Sequence, residues 1–510
     1  MKRAVAIVLA ACAWALVLSA HIYAQETLEA RFTDISDHCG IAKLLADQYE
    51  KYPKWWLSGL YLVDLDGDGH LDFVTGAHGG GGPIAALNDG QGHFVLAPGY
   101  KGTEVHICCD LNEDGKADLQ MNYLDGGGKW WLNESVAGKV ALRDSGVVAS
   151  GAGQARANAL IDINRDGKVD WLHEMPGVTW ELGDGQGHFK PGGGIPTGAK
   201  RNESNIHYGD LQGKGLIDLA VQWGRYENER GQSRVFFNDG KANFTDATKD
   251  AGLSDQDGFV IKGLADVNQD GFPDLIVLED KKPALYLNDG KGHFQKLEGA
   301  FEGWGAARKP GYASWGLAVA TDFDNDGVAD ILWNGRNWLW VFRGIGGGRF
   351  RYMNKEWGIE DFAAASVDDG LCFGDIDGDG ALDIIGYAPG PGERPRVKVY
   401  HNDLPKQNWI RIRPVGAAGN INAAGAKIRI FEGGKADKPI WGEQVQIVSS
   451  QSAQSYYSYA QTERHFGLGK CDKVDLEVEF YPSGKKVAKK GVAAGRVVTV
   501  TEESGAVEEK

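Results

Sequence analysis

Apolar residues along this chain come in short runs, broken at regular intervals by aspartate and glycine. Leu71-Asp-Phe-Val74 and Leu382-Asp-Ile-Ile385 are typical. Short runs bounded by turn residues predict β-strands, because a helix needs a longer stretch of apolar residues at a 3.6-residue spacing. The break before each run is a nine-residue pattern with acids or amides at positions 1, 3, 5 and 9 and glycine at 6. It occurs at 64–72, 110–118, 162–170, 210–218, 266–274, 322–330 and 375–383, with starts 46 to 56 residues apart. Such a period marks a propeller or solenoid. A second break, Asn88-Asp-Gly, Asn238-Asp-Gly and Asn288-Asp-Gly, with Gly183-Asp-Gly and Arg343-Gly at the matching points, is a tight-hairpin signal between apolar strands. Each repeat therefore reads as strand, acidic loop, strand, variable connection, strand, tight turn, strand. Four strands make one blade, so the chain is predicted to be all-β, with a seven-bladed β-propeller over 25–404. From 405 the repeat stops. Val474, Leu476, Val478 and Phe480 alternate with polar residues, predicting a small β-sandwich-like domain over 405–501. The charged stretch 502–510 is predicted to be a disordered tail.

The acidic loops carry the clearest chemistry. Oxygen side chains at positions 1, 3, 5 and 9 converge when glycine at position 6 lets the backbone turn sharply, and such a cage suits Ca²⁺. An EF-hand is excluded, because position 9 is aspartate and the flanks are strands. The ligand sets are Asp64, Asp66, Asp68 and Asp72; Asp110, Asn112, Asp114 and Asp118; Asp162, Asn164, Asp166 and Asp170; Asp266, Asn268, Asp270 and Asp274; Asp322, Asp324, Asp326 and Asp330; and Asp375, Asp377, Asp379 and Asp383. The first, sixth and seventh, with four carboxylates each, are expected to bind most tightly. The fourth copy puts Gln212 and Lys214 at ligand positions, and the Lys214 ammonium is expected to pair with Asp210 and Asp218 in place of a metal. About six calcium ions per chain are thus expected, with loop 210–218 empty.

Lys2-Arg3 followed by an apolar run to Ala20 predicts a signal peptide over 1–24 and an exported chain, periplasmic or extracellular. A membrane anchor is the competing reading, but no basic stop-transfer flank follows. The formal charge of −16 argues against a nucleic-acid partner, and much of it lies in the loops. Beyond the signal, Cys39, Cys108, Cys109, Cys372 and Cys471 show no CxxC spacing. Their odd number leaves at least one thiol unpaired unless chains are linked.

The two repeat signatures together resemble the FG-GAP or VCBS repeats of integrin α-like propellers. The run Asn422-Ala-Ala-Gly425, His465-Phe-Gly-Leu-Gly469 and Val474-Asp-Leu-Glu-Val-Glu-Phe480 resembles the ASPIC/UnbV module of secreted proteins in the cartilage acidic protein group. Phe480-Tyr481 stands where that module usually has tryptophan. The resemblance implies that the calcium loops share one face and that function sits on the other. There it would display His78, His106, Tyr123, Arg156, His173, Glu174, His207, Trp223, Arg225, Trp315, Trp333, Arg336 and Tyr387. Phe32-Thr-Asp is expected to close the ring by joining the last blade.

Histidine, arginine and aromatic residues around a mouth suit a polar ligand such as a sugar. One expectation is an extracellular binding or adhesion protein for a glycan or a protein partner. The alternative is a carbohydrate-active lyase or dehydratase, with His106, His207, Tyr123 and Arg156 as candidate catalytic residues. No nucleophile elbow, His-Glu-x-x-His or P-loop motif occurs.

Overall fold

The computed structural model describes residues 32–510 apart from 52–55, 79–83, 101–103, 123–127, 149–157, 175–177, 196–204, 224–231, 308–315, 336–337, 360–370, 390–394, 404–406, 436–438, 445–447 and 450–462. Among the described residues seven sheets, antiparallel apart from one added strand in blade 6, follow one another along the chain. Blade 1 shows their common plan. Trp56–Val63 runs into loop 64–72, Asp72–His78 returns, and Ile84–Asn88 and Phe94–Leu96 follow around the Asn88-Asp-Gly turn. Blade 6 gains a fifth strand, Phe301–Glu302, parallel to Arg349–Tyr352. Blade 7 supplies only three strands of its own. Its fourth is Phe32–Asp34, which pairs with Pro395–Asn402 in the register Phe32 to Asn402. The expected ring closure by the N-terminal strand is therefore present.

The blades are held together by the turn asparagine. Its amide nitrogen donates to the position-2 carbonyl of the preceding blade's loop at 2.7–3.1 Å: Asn88 to Ile376, Asn133 to Leu65, Asn238 to Ile163, Asn288 to Leu211 and Asn402 to Phe323. The same nitrogen also donates to its own blade, as Asn288 does to Pro273 at 3.1 Å. Blades 3 and 6 carry Gly183 and Gly344 at this point, because a Cβ there would lie 2.0 Å from the Val169 oxygen and 2.2 Å from the Ala329 oxygen. Aromatic contacts join blade 3 to its neighbours, with ring centroids 5.9 Å apart for Trp130 and Trp171 and 5.3 Å for Trp180 and Phe244. Asn288→Ala strands two buried carbonyls and should cost about 2–4 kcal/mol, read as a lower urea midpoint. A midpoint equal to the parent's would show that the asparagine is not a staple.

Two further four-stranded sheets form the C-terminal sandwich. One orders Arg464–Gly469, Asn408–Val415, Arg496–Thr501 and Val507–Glu509; the other Pro439–Gln444, Lys427–Glu432, Lys473–Glu479 and Lys486–Ala493. Val474, Leu476, Val478 and Phe480 face its core at 2% exposure or less. The stretch 502–510 is not disordered, correcting the expectation from its charge. Val507–Glu509 pairs with Arg496–Thr501, and the Lys489 and Arg496 ion pairs hold the Glu509 carboxylate. The all-β expectation also missed one helix, Ile41–Lys51, whose Ile41, Leu45 and Tyr49 face the core. Among the described residues no helix is long and apolar enough to cross a membrane. Cys39, Cys108, Cys109, Cys372 and Cys471 are all free thiols. The proposed signal, 1–24, lies outside the described residues.

Candidate metal centres

Each acidic loop is shaped by its own carboxylates. In loop 110–118, Asp110 Oδ1 accepts the Asp114 N–H at 3.1 Å and its Oδ2 the Gly115 N–H at 2.8 Å, while Asp114 accepts from Lys116 at 3.0 Å. Asp118 at position 9 ties three pieces of chain together. Its Oδ1 takes the Asn133 N–H at 2.7 Å and its Oδ2 the Leu111 N–H at 2.9 Å. The same pair of bonds recurs at Asp72, Asp170, Asp274, Asp330 and Asp383, all of them buried. An oxygen that accepts one N–H keeps a second lone pair, so these carboxylates retain room for a cation.

Three loops bring carboxylates within 4.8 Å of one another: Asp64, Asp66 and Asp72; Asp322, Asp324 and Asp330; Asp375, Asp377 and Asp383. Loops 2, 3 and 5 substitute Asn112, Asn164 and Asn268, each of which donates to the position-5 carboxylate at 3.1, 3.4 and 2.9 Å. Burial, with neighbouring aspartates adding to it, pushes the carboxyls of Asp72, Asp118 and Asp170 up to about 7 and Asp274 to about 8. Negative charge is thus costly there without a cation beside it.

Basic side chains sit against the carboxylates of loops 6 and 7, two of the loops expected to bind most tightly. In loop 6, Arg343 sits on Asp324 at 2.5 Å and on Asp326 at 2.8 Å. In loop 7, His401 lies 2.9 Å from Asp377, and Arg411 from the sandwich lies 3.1 Å from Asp375. Arg343 and His401 occupy the residue before the staple position, where blades 1 and 5 have Leu87 and Leu287. That substitution was visible in the sequence and was missed. Four carboxylates still outnumber the basic groups in both loops, so the donor sets continue to fit a divalent cation. In loop 1, among the described residues, no lysine or arginine pairs with the carboxylates, making it the most purely oxygen-lined set.

Loop 4 departs further. Lys214 was expected from its position to pair with Asp210 and Asp218, and among the described residues its ammonium makes neither pair. Its ammonium donates to Gln212 Oε1 at 2.6 Å, and the cation on Asp210 is Lys427 of the sandwich, at 2.8 Å.

Lys427 is part of a wider arrangement that the sequence did not reveal: the sandwich lies on the loop face and, among the described residues, touches six of the seven loops. Asn422 brackets Asp110 of loop 2 with bonds of 3.1 and 2.6 Å, and Tyr481 donates to the Asp162 carbonyl of loop 3 at 2.9 Å. Gln269 of loop 5 donates to the Ile440 carbonyl, and His465 meets Asn325 of loop 6 at 2.6 Å. Arg411 completes the set at loop 7. The Asn422 and His465-Phe-Gly motifs are thus contact surfaces. Gly467 has no alternative there, since a Cβ would fall 1.9 Å from Asp322 Oδ2. A two-residue strand, Val448–Ser449, also pairs with Asn158–Ile161, the innermost strand of blade 3.

The residues expected on the opposite face are mostly hidden or undescribed. Trp333 is fully buried against Trp340 and Phe301, at centroid distances of 5.5 and 6.2 Å, and serves the core. His173 is buried between Glu181 at 3.0 Å and Thr179 at 3.2 Å. His207 is 3% exposed, and burial, with the Lys262 charge nearby, pulls its imidazole down to about 3. None of these three is displayed. The strands place the backbone of His78, His106, Glu174, Trp223 and Tyr387, with His106 at a register shift between Val105 and Ile107, but their side chains lie outside the described set. Tyr123, Arg156, Arg225, Trp315 and Arg336 lie outside the described residues.

The fold is thus a propeller of four-stranded blades with acidic loops, combined with a C-terminal sandwich. A model of the FG-GAP-like repeat matches residues 266–333 and 322–386, and one for ASPIC and UnbV matches 416–507. Over 92% of its length the chain is similar to cartilage acidic protein 1 of Xenopus tropicalis, at 25% identity and covering 76% of that protein; the Homo sapiens protein is 26% identical, over 90% of this chain and 74% of its own. Among solved structures, an Agrocybe aegerita lectin described as recognising non-reducing terminal N-acetylglucosamine aligns at 18% identity and TM-score 0.41, over 68% of this chain and 90% of its own. The V. cholerae biofilm matrix protein Bap1 aligns at 12% identity and TM-score 0.34, over 69% and 88%.

Proposed function

We propose that this is a secreted, calcium-stabilised extracellular binding protein that takes a glycan or a protein partner on the propeller face away from the acidic loops. One observation carries the reading: the chain's own C-terminal sandwich occupies the loop face and, among the described residues, touches six of the seven loops. A partner is thereby directed to the other side of the ring. Calcium is assigned to loops 1, 2, 3, 5, 6 and 7, whose position-9 carboxylates keep free lone pairs. In this role the metal is structural, bracing hairpins beneath the sandwich. A catalytic role gains nothing from His207. An imidazole titrating near 3 and buried from solvent is a poor proton carrier at neutral pH.

The test is a binding screen of the exported chain against glycans and extracellular matrix proteins, with the parent beside Arg225→Ala and Arg336→Ala. Binding by the parent that falls at least about tenfold in either variant, at unchanged melting temperature, supports the assignment of the face. Binding that survives both substitutions but is lost when the sandwich contact Tyr481→Ala is made would move the partner to the loop side and reject it.

A further inference from the structure

Loop 4 has the same backbone course as its sisters. Asp210 accepts the Lys214 N–H at 2.9 Å and the Gly215 N–H at 3.0 Å, as Asp110 does in loop 2. Its oxygens, however, are spoken for. Asp218 Oδ1 takes the Gln212 Nε2 and the Asn238 N–H, both at 2.9 Å, while Oδ2 takes the N–H groups of Leu211 and Gln212 at 3.0 and 3.1 Å. Four donors saturate a carboxylate, which has about four lone-pair positions. The equivalent aspartates of loops 1, 3, 5, 6 and 7 each accept two N–H groups only. The donor set of loop 4 therefore does not fit a metal.

What it holds instead arrives from the other domain. Lys427 reaches Asp210 Oδ2 at 2.8 Å, with the aspartate side chain 4% exposed and the lysine 20%. Its strand, Lys427–Glu432, is anchored by Ile428 and Ile430, both fully buried in the sandwich core. Just upstream, Gly425 packs against the Tyr481 ring and Ile161 of blade 3, which fixes the approach of the strand to the loop. Two ammonium groups thus stand at this loop, Lys427 on Asp210 and Lys214 on Gln212.

We propose that Lys427 is the resident cation of loop 4, so that this loop is a metal-free ionic latch between propeller and sandwich. Loop 7 also takes a basic group from the sandwich, Arg411 on Asp375, but its position-9 Asp383 accepts only two N–H groups, whereas in loop 4 Asp218 is saturated and the sandwich supplies the cation. The latch therefore persists when calcium is withdrawn.

Two measurements on the full chain test it. In the first, the connection around 404–408 is probed by limited proteolysis in EGTA. Lys427→Met, which keeps the side chain's length without its charge, should be cut roughly tenfold faster than the parent, and Lys427→Arg within about twofold of it. In the second, bound calcium is counted by native mass spectrometry. Gln212→Asp/Lys214→Asp should bind no more ions than the parent, whereas the same pair with Lys427→Met should bind one more. The latch is overturned by a Lys427→Met chain cut at the parent's rate, or by an extra ion in the double variant while Lys427 is intact. If parent and variants all bind no calcium, the assignment of metal to the other loops fails, and the proteolysis result alone decides the latch.

Discussion

Removing calcium with EGTA should lower the melting temperature of the chain substantially, and more at pH 8 than at pH 5.5. Each ion that binds only the folded state adds RT ln(1 + [L]/Kd), about 2.7 kcal/mol at a hundredfold excess, so several sites together outweigh any single contact in the ring. The pH dependence follows from the carboxyls that burial raises, Asp72, Asp118 and Asp170 to about 7 and Asp274 to about 8. An acid whose folded pKa lies above its unfolded value stabilises the fold fully below the unfolded pKa. That contribution is lost as pH rises through the folded value. The chelated protein should therefore weaken between about pH 4 and pH 8, whereas calcium holds these groups ionised without that penalty. Melting curves at both pH values, with and without EGTA, decide the matter. An EGTA shift that is absent, or larger at the acid pH, would reject the scheme.

The second large effect is expected at position 9. Asp118→Ala removes the acceptor for the Asn133, Leu111 and Asn112 N–H groups, at 2.7, 2.9 and 3.3 Å, in a fully buried place. Orphaning these donors should cost on the order of 4 kcal/mol even in EGTA. Asp114→Ala is the control, because among the described residues the Asp114 side chain bonds only within its own loop, to Asn112 and Lys116. It should weaken the calcium-dependent part of stability and leave the EGTA curve nearly unchanged. Asp118→Ala melting with the parent in EGTA would mean that position 9 serves the ion alone.

The repeats, their four-strand plan and the closing strand were legible because each rests on local chemistry. A glycine at position 6 and an Asn-Asp-Gly turn dictate hairpins whatever surrounds them. The seating of the sandwich was not legible in the same way. Lys427 sits in an unremarkable alternating strand, and Asn422 and His465 belong to motifs whose contacts are supplied by residues hundreds of positions away. Arg343 lies between these cases, since it interrupts a leucine column but its target is set by the hairpin's geometry. Helix Ile41–Lys51 has Ile41, Leu44, Leu45 and Tyr49 at helical spacing, but this single three-turn stretch stands against a chain whose periodicity is otherwise that of strands. The last residues were misjudged from charge alone, which cannot see that Lys489 and Arg496 await Glu509.

The pairing of Phe32–Asp34 with Pro395–Asn402 fixes an order of events during biosynthesis. The first strand to emerge is among the last to find its partner, since Asn402 is made only after every other blade. Until then blade 7 has an open edge, and an unpaired edge recruits foreign strands. The sandwich follows at once in the chain, so the ring closes and is capped in the same late step. A ribosome or translocon stalled before Asn402 would leave a chain with most of its blades made but both ends of the ring sticky, a species that folding helpers must shield or destroy.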